Sequence, residues 1–354
     1  MSTEGPTLAS SSGTASASSS IIQPDPSFQP PQEDSELDLD EDAQIALSNA
    51  RDDGSTTMLP PNILEYRTLF GRTYHAESGT ARYWASNDEQ QNNSMDMVHH
   101  FLRLLFDGEL FLAPIRDDIS HALDVGTGTG IWAIDFADAH PMTDVTGTDI
   151  SPIQPSWVPP NLQFEIEDCT LPWTFEEESM DYIHMRYLYG SISDWPALFK
   201  EALTVCKRGG WVESVEASPR MESDDDSVPE HSAMHQWGSI FIEGAEEMGQ
   251  TFRVVEDGLQ VQGMQEAGFE DIRVVEKKIP IGAWPKEKRL ADIGRYVERA
   301  LEQDYEGYIQ YMTGLLGWSE EQVTVYCARI RREIRSGQYH AWYRLRVVCG
   351  RRPF

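Results

Sequence analysis

A glycine-rich loop that directly follows an apolar strand is the feature that most constrains how this chain can fold. The segment Leu123–Gly130 reads LDVGTGTG, and an apolar helical pattern, IWAIDFADA, follows it at once. Glycines at positions 126, 128 and 130 let the backbone turn sharply and approach a ligand closely. The helix behind them offers free N–H groups and the positive end of its dipole. The segment therefore predicts a strand–loop–helix unit that holds a ligand at its turn.

The spacing of these glycines distinguishes between two classes of ligand. A dinucleotide fingerprint has the spacing GxGxxG, whereas here the third glycine comes one position earlier and gives GxGxG. An acidic residue, Asp124, also precedes the loop on the strand. This combination favours a nucleoside with an amino-acid arm over a pyrophosphate. A nicotinamide site or a chance match is the alternative.

Strand and helix patterns alternate along most of the chain and predict an α/β fold. The strand candidates are Ala122–Val125, Asp144–Thr148, Leu162–Glu167, Met180–His184, Gly210–Val215, Ile272–Ile279 and Trp342–Val348. The helical patterns between them are Gly130–Ala139, Trp195–Cys206 and Val255–Ala267. Such alternation implies crossover units, so we expect a doubly wound, mostly parallel seven-stranded sheet.

Two helical insertions interrupt the alternation after the fifth and sixth strand candidates. Residues 219–250 begin with an acidic loop and continue as a helix, and residues 286–336 predict two or three helices with breaks near Asp304 and Gly317. Insertions late in such a sheet usually cover the open mouth of its ligand site. We expect both insertions, together with residues 59–115, to act as lid elements.

Two further carboxylates end strand candidates beside the glycine loop. Asp149 ends the second strand candidate nineteen residues beyond Gly130, and Asp168 ends the third after another nineteen. In a doubly wound sheet, ligands collect at the carboxyl ends of the strands. There Asp149 can accept hydrogen bonds from both ribose hydroxyls, and Asp168 can accept one from an adenine amino group. A helix N-cap or a turn is the structural alternative for either aspartate alone.

These residues and several strings around them resemble the fungal LaeA-like methyltransferases, class I S-adenosylmethionine-dependent proteins that regulate secondary metabolism. The resemblance covers roughly residues 66–354, and its most specific strings are GTGTGIWA, which starts at Gly126, and SPIQP at residues 151–155. Shorter matches are NDE at 87–89, LFLAPI at 110–115, DYIHMR at 181–186 and GGWVE at 209–213.

The resemblance implies S-adenosylmethionine as the cofactor and assigns roles around it. It places Gly126 and Gly128 at the methionine arm, whose amino group Asp124 binds. Asp149 binds the ribose, and Asp168 lies at the adenine. The cofactor-binding residues that it implies are Asp124, Gly126, Gly128, Gly130, Asp149, Ile150, Asp168 and Cys169.

Candidate catalytic residues are few. His184 and Arg186 follow the fourth strand, at the edge where an acceptor should meet the methyl group, so they form a candidate base or orienting pair. A structural histidine and a surface-anchored arginine explain them equally well. Methyl transfer mostly requires alignment of the reactants and exclusion of water. Because the chain shows neither a catalytic triad nor a metal-ligand cluster, we predict no metal and assign no base.

The first 58 residues differ in composition from the remainder, residues 59–354, which we assign to the methyltransferase domain. They hold eleven acidic side chains against one base, Arg51, and seven of the acids lie within residues 33–42. Such a segment buries too little apolar surface to offset the entropy of ordering, so we expect a disordered Ser- and Pro-rich tail. A regulatory or partner-binding tail and a dispensable extension are the two interpretations.

The charge of the chain excludes some partners. The net charge is −31, from 59 acidic and 28 basic side chains. Phosphate backbones and anionic membranes repel such a surface, so we expect protein partners but neither direct nucleic-acid nor membrane binding. Residues 327–354 are basic, unlike the chain as a whole, because they hold eight arginines and one acid. We expect these arginines to pair with the acidic body rather than to form a docking surface.

Cysteine usage and hydropathy predict the compartment. The four cysteines lie far apart and lack metal-ligand spacing, which is typical of reduced thiols. The sequence has no apolar run of membrane-spanning length and no signal-peptide pattern at its start. We therefore expect an intracellular protein of the nucleus or cytoplasm.

Two classes of function follow from the sequence. The first is methyl transfer, either to a protein within a regulatory complex or to a small metabolite of a secondary pathway. The second is a non-catalytic regulatory or scaffold protein that retains its cofactor site, and the weak catalytic signature favours it. The sequence does not identify the methyl acceptor.

Overall fold

The computed structural model describes residues 20–30, 66–75 and 82–354. The strands are β1 (Arg67–Leu69), β2 (Arg72–Tyr74), β3 (His121–Val125), β4 (Asp144–Asp149), β5 (Leu162–Ile166), β6 (Met180–Arg186), β7 (Cys206–Ala217), β8 (Glu270–Pro280) and β9 (Trp342–Arg351). The helices are α1 (Glu89–Leu105), α2 (Ile131–Ala139), α3 (Trp195–Val205), α4 (Ala233–Met248), α5 (Leu259–Ala267), α6 (Lys288–Gln303), α7 (Tyr305–Leu315) and α8 (Glu320–Arg335). Across these described ranges, no helix combines the length and the apolar composition that a membrane span requires.

Seven strands form one sheet in the order β5-β4-β3-β6-β7-β9-β8. The first five of these strands pair in parallel, and β9 runs antiparallel to both β7 and β8. The chain builds outward from β3 to β5 and then returns to place β6 on the other side of β3. This reversal opens a crevice at the carboxyl ends of the central strands, where ligands of such folds bind. The predicted doubly wound, mostly parallel sheet is confirmed.

Side-chain alternation along the central strands produces a core on each face of the sheet. Ala122 and Tyr182 belong to the core beneath α1 and α2, whereas Leu123 and Ile183 belong to the core beneath α3 and α5. Because helices cover both faces of the sheet, the sequences of these strands are nearly continuous apolar runs.

The predicted bounds of α2 and α3 hold to within one residue. The break at Asp304 separates α6 from α7, whose first turn it caps by accepting a hydrogen bond from the Gly307 backbone N–H at 2.9 Å. Gly317 has φ +73 and separates α7 from α8. The helix predicted from Val255 begins only at Leu259, because Gly258 adopts the left-handed conformation before it.

The hairpin of β1 and β2 connects two of the lid segments through Arg72. Its guanidinium donates to Asp88, which caps α1, at 2.6 Å, and to Asp304, which caps α7, at 2.7 Å. The Asp304 side chain is fully buried and that of Arg72 is 13% exposed. The three residues therefore hold the hairpin, α1 and α7 in one unit.

Residues 20–30 of the acidic tail lie against the domain. The Asp25 backbone N–H donates to the Trp284 carbonyl at 2.8 Å, and Ile22 is buried between Trp284 and Trp342. The prediction of a disordered tail is therefore wrong for this segment, because its apolar side chain and extended backbone find partners that composition alone does not reveal. The other predicted tail residues lie outside the described part of the chain.

Five of the eight arginines near the C-terminus pair with the acidic body, as predicted, and Arg329 pairs with Glu333 of its own helix. The pairs are Arg329–Glu333, Arg335–Glu302, Arg344–Glu222, Arg346–Glu276, Arg351–Asp271 and Arg352–Glu178. All four cysteines are free thiols.

Candidate functional site

A cavity of about 240 Å³ opens at the carboxyl ends of the central strands. We call one half the loop end; its lining residues are Gly126, Thr127, Gly128, Asp149, Ile150, Ser151, Ile153, Glu167, Asp168, Cys169 and Thr170. We call the other half the aromatic chamber; its ring-bearing lining residues are Tyr83, Trp84, Phe101, Tyr187, Tyr189, Trp237, Phe241, Tyr308 and Tyr343. The two halves form one continuous space.

The glycine loop forms the floor of the loop end, where positive φ angles and close neighbours favour glycine. Gly126 and Gly128 have φ values of +67 and +60. A Cβ atom on Gly126 would lie 2.5 Å from Leu188 Cδ2, and one on Gly128 would collide with the end of the Met95 side chain. The loop is thereby held between the end of β6 and helix α1, with its backbone against the cavity.

Asp149 lies at the end of β4 with its carboxylate at the cavity wall. Oδ2 accepts a hydrogen bond from the Gly128 backbone N–H at 2.8 Å, and Oδ1 accepts one from that of Ser151 at 2.9 Å. Burial raises the pKa of Asp149 to about 6, although these backbone donors act in the opposite direction. The same side chain thus orients the glycine loop and presents a carboxylate to a ligand.

Asp168, Cys169 and Ile150 complete the loop end. The Asp168 carboxylate accepts hydrogen bonds from the Thr170 backbone N–H at 2.9 Å and from its hydroxyl at 2.6 Å, which fixes the turn after β5. Burial raises the pKa of the Cys169 thiol to about 12, so the thiol is neutral. The structure therefore brings six of the eight implied cofactor residues to one wall.

The other two implied cofactor residues, Gly130 and Asp124, do not line this cavity. Gly130 precedes α2 with φ +81 and packs against the Phe164 ring. The Asp124 carboxylate accepts hydrogen bonds from the Thr127 hydroxyl at 2.6 Å and from His184 Nδ1 at 2.7 Å. Its side chain points beneath the loop, where it orients Thr127, and the implied contact with the amino group of the cofactor stays a prediction.

His184 is a structural residue and not a candidate base. It is 1% exposed, and its ring stacks on Trp132 with centroids 3.8 Å apart and planes at 5°. Its Nδ1 donates to the Asp124 carboxylate, and the residue does not line the large cavity. The candidate catalytic role is therefore wrong, because β6 directs this side chain into the core under α2.

His184 belongs to a buried polar row that crosses four strands. Strand register places Asp124, His184, Glu213 and Cys349 side by side on β3, β6, β7 and β9. Glu213 is fully buried, and burial raises its pKa. Because the row ends under Thr127, it supports the glycine loop from within the sheet.

Arg186, the other candidate, does line the cavity at the end of β6. Its Nη1 lies 3.4 Å from His99 Nδ1, and burial lowers its pKa despite attraction from Asp124 and Asp96. Within the part of the chain that the structure describes, it forms no ion pair with a carboxylate. Arg186 therefore stays a candidate orienting residue at the cavity wall.

The aromatic chamber is walled by all three segments expected to form lids. Trp84 comes from residues 59–115, Trp237 from residues 219–250 and Tyr308 from residues 286–336. The rings interlock: Trp84 and Phe241 meet edge to face with centroids 5.4 Å apart. Five of the lining residues are tyrosines.

Burial keeps the phenols of the chamber neutral. It raises the pKa of Tyr308 to about 12, and this hydroxyl lies 2.7 Å from the Ser94 hydroxyl. Burial also raises the pKa of Tyr187, whose side chain forms a hydrogen bond with that of Tyr343. The chamber therefore combines apolar surface with neutral hydroxyl groups.

Two amide side chains that sequence reasoning did not single out also line the cavity. Gln91 lies one turn before Met95 on α1, and Asn87 lies just before the N-cap of that helix. Among the described residues, Asn87 Oδ1 and Nδ2 and Gln91 Oε1 are buried without a hydrogen-bond partner. Buried amides normally have partners, so these atoms indicate a polar ligand. The spacing of residues 91 and 95 was the available sequence signal.

Comparison with known proteins places this geometry in context. A family model described as a methyltransferase domain matches residues 97–274. The methyltransferase pytC of Aspergillus terreus is 35% identical over 304 residues, which cover 85% of this chain and 93% of the relative. The secondary metabolism regulator LAE1 of Cochliobolus heterostrophus is 33% identical over 293 residues, covering 80% and 94%. A phosphoethanolamine N-methyltransferase 2 from Haemonchus contortus, solved with S-adenosyl-L-methionine, aligns over 74% of this chain and 53% of its own at 18% identity and a TM-score of 0.39.

Proposed function

Because the chain belongs to the LaeA-like S-adenosylmethionine-dependent methyltransferases, we propose that it transfers a methyl group to a small molecule bound in the aromatic chamber. The observation that carries the proposal is the continuity of the cavity, in which the glycine loop and the chamber share one wall. An acceptor in the chamber and a cofactor at the loop end would therefore be neighbours.

The residues of the loop end fit the cofactor. The loop offers backbone without Cβ atoms, and the Asp149 carboxylate retains acceptor capacity for ribose hydroxyls. The amides of Asn87 and Gln91 offer hydrogen-bonding groups for the amino-acid arm. When bound, S-adenosylmethionine supplies an electrophilic methyl group on a sulfonium. The protein binds and aligns the reactants and excludes water.

A small molecule fits the chamber better than a polypeptide does. The lining is mostly apolar and includes nine aromatic rings, and three segments that are remote in sequence contribute to it. Concave, mostly apolar sites with a few polar groups are typical of small-molecule ligands. A polypeptide segment would instead require an open groove with backbone hydrogen-bond partners.

Methyl-labelled S-adenosylmethionine tests this proposal directly. The purified protein is incubated with the label and with a fungal extract separated into small-molecule and protein fractions. We expect label in the small-molecule fraction, and its disappearance with the Gly126→Arg variant. Label found only in protein would contradict the small-molecule acceptor. Cofactor binding without transfer to either fraction would favour a non-catalytic protein.

Regulation of secondary metabolism is the second candidate function, and the name of the relative LAE1 supports it. In this alternative the protein acts in the nucleus through protein partners and retains its cofactor site for structural reasons. Asp149→Ala and Gly126→Arg genes are introduced into a strain that lacks the protein. If both variants restore the full metabolite profile, methyl transfer is not the function.

Acid is expected to weaken cofactor binding through Asp149. Its pKa of about 6 means that the ionised carboxylate, which accepts from two hydroxyls, gives way to the protonated form as the pH falls. Because the ligand then prefers the deprotonated protein, the dissociation constant should rise about tenfold between about pH 7 and pH 5 and stay level above that range. Calorimetry across the range measures this step, which the Asp149→Asn variant should lack. The same step in that variant would assign it to another group.

A further inference from the structure

The charges on the cavity wall are strongly segregated. The carboxylates of Asp149, Glu167 and Asp168 all lie at the loop end. The remaining charged side chains among the described lining residues are Arg82 and Arg186, and the chamber lining includes neither a carboxylate nor an imidazole. In a chain with 59 acidic and 28 basic residues, a chamber with only cationic groups is contrary to the overall composition. The charged side chains of the chamber lining are therefore all positive, although the protein as a whole is acidic.

Arg186 is the cation of the cavity wall that has no carboxylate in direct contact among the described residues. It lies at the end of β6 and its Nη1 lies 3.4 Å from His99 Nδ1; no carboxylate of the described residues forms an ion pair with it, although Asp124, Asp96 and Asp135 attract it from a greater distance. Enclosing a guanidinium without an anionic partner is costly, because the interior solvates charge poorly. Arg82 is exposed and adds a second positive charge at the rim. An anion that enters from solution would offset this cost.

We propose that the methyl acceptor is a small, mostly apolar organic acid whose oxyanion is bound by Arg186. This inference rests on the proposed function and specifies its substrate class. Carboxylates and the enolates of acidic dicarbonyl compounds share the required chemistry, since both are anionic at neutral pH and bind a guanidinium through oxygen. The aromatic walls contact the apolar skeleton of the acceptor, and the neutral tyrosine hydroxyls contact its other polar groups.

The proposal also accounts for the lack of a base. A lone pair of the acceptor anion forms the new bond to the methyl carbon, while the electrons of the broken sulfur–carbon bond return to sulfur as a neutral thioether. An ionised acceptor has no proton to lose. A chamber with tyrosines of raised pKa and no imidazole or carboxylate among its described lining residues is therefore sufficient for this class of acceptor.

Matched pairs of probes test the preference for an anion. In each pair the two compounds have nearly the same shape and differ in charge: 2-naphthoate against 2-naphthamide for carboxylates, and 4-hydroxycoumarin against 4-methoxycoumarin for enolates. Calorimetry measures their binding to the full chain saturated with S-adenosylhomocysteine. We expect the anion of at least one pair to bind about tenfold tighter than its neutral counterpart. The pair that shows the larger ratio identifies the type of oxyanion.

Variants assign the preference to the chamber. Arg186→Met keeps the length of the side chain and should reduce the anion-to-neutral ratio to about one, whereas Arg332→Met removes an exposed arginine of α8 and should leave it unchanged. Equal binding of both members of each pair by the natural protein overturns the proposal. An unchanged ratio in Arg186→Met also overturns it.

Titration of S-adenosylhomocysteine separates this inference from the proposed function. If the natural protein does not bind that compound, the proposed function fails. If the compound binds and the probes show no preference for the anion, only the assignment of the acceptor class fails. Binding of S-adenosylhomocysteine by Arg186→Met shows that the variant is folded. Its anion-to-neutral binding ratio is then informative whether it falls or stays unchanged.

Discussion

Replacing Gly126 with arginine is expected to abolish useful binding of S-adenosylmethionine. A Cβ atom at this position lies 2.5 Å from Leu188 Cδ2, and the longer side chain has only the loop end of the cavity to enter. It would therefore occupy the volume assigned to the cofactor. We expect the dissociation constant to rise about a hundredfold or more, which corresponds to about 2.7 kcal/mol. Isothermal titration calorimetry measures the change.

Gly249→Arg is the matched control for this variant. Gly249 has φ +69, close to the φ of +67 at Gly126, so arginine meets the same backbone strain at both positions. No described atom lies within 4 Å of a Cβ atom at Gly249, which ends α4. This control should therefore lose similar backbone stability and keep its cofactor affinity. Equal affinities of the two variants would show that the glycine loop is not the cofactor site.

Replacing His184 with leucine is expected to have the largest effect on stability. The His184 ring pairs with Asp124 at 2.7 Å and stacks on Trp132, and both members of the pair are nearly fully buried. Leucine leaves the Asp124 carboxylate in the core without its main partner. Breaking such a pair costs about 3–5 kcal/mol in the free energy of unfolding. Urea unfolding followed by circular dichroism measures the loss.

His121→Leu provides the comparison within the same sheet. His121 lies 3.9 Å from Asp144 and 4.0 Å from Asp181, but its side chain is 46% exposed. Solvent screens such pairs, so we expect a change below about 1 kcal/mol. If the two leucine variants unfold at the same urea concentration, the buried polar row does not stabilise the sheet. A larger loss for His184→Leu would also explain any weakening of cofactor binding, since the row supports Thr127.

The sequence alone predicted the features that depend on neighbouring residues. Apolar runs alternating with helical periods identified all seven strands of the sheet, and the glycine spacing located the loop. The positions of Asp149 and Asp168 after two strands followed from the rule that ligands collect at strand carboxyl ends. These signals are local, because backbone geometry and side-chain period are properties of short segments.

Only the tertiary structure decided which side chains meet. The sequence predicted that Asp124 and His184 would both face the ligand site. Strand register and the direction of their side chains instead place them beneath the glycine loop, away from the cavity. The ordered contact of Ile22 with Trp284 joins segments more than 250 residues apart. Composition does not report such contacts, because their stability comes from surfaces that meet only after folding.

The aromatic chamber shows most clearly the difference between what local sequence predicts and what long-range packing decides. Its walls combine Trp84, Trp237 and Tyr308, which come from three segments that sequence reasoning described only as lids. No periodic pattern connects these residues, and only their packing shows that they share one cavity with Arg186, which has no ion-pair partner in the described chain. The sequence therefore determined the fold and the glycine loop at the cavity, whereas long-range packing decided the shape and charge of the space beside it.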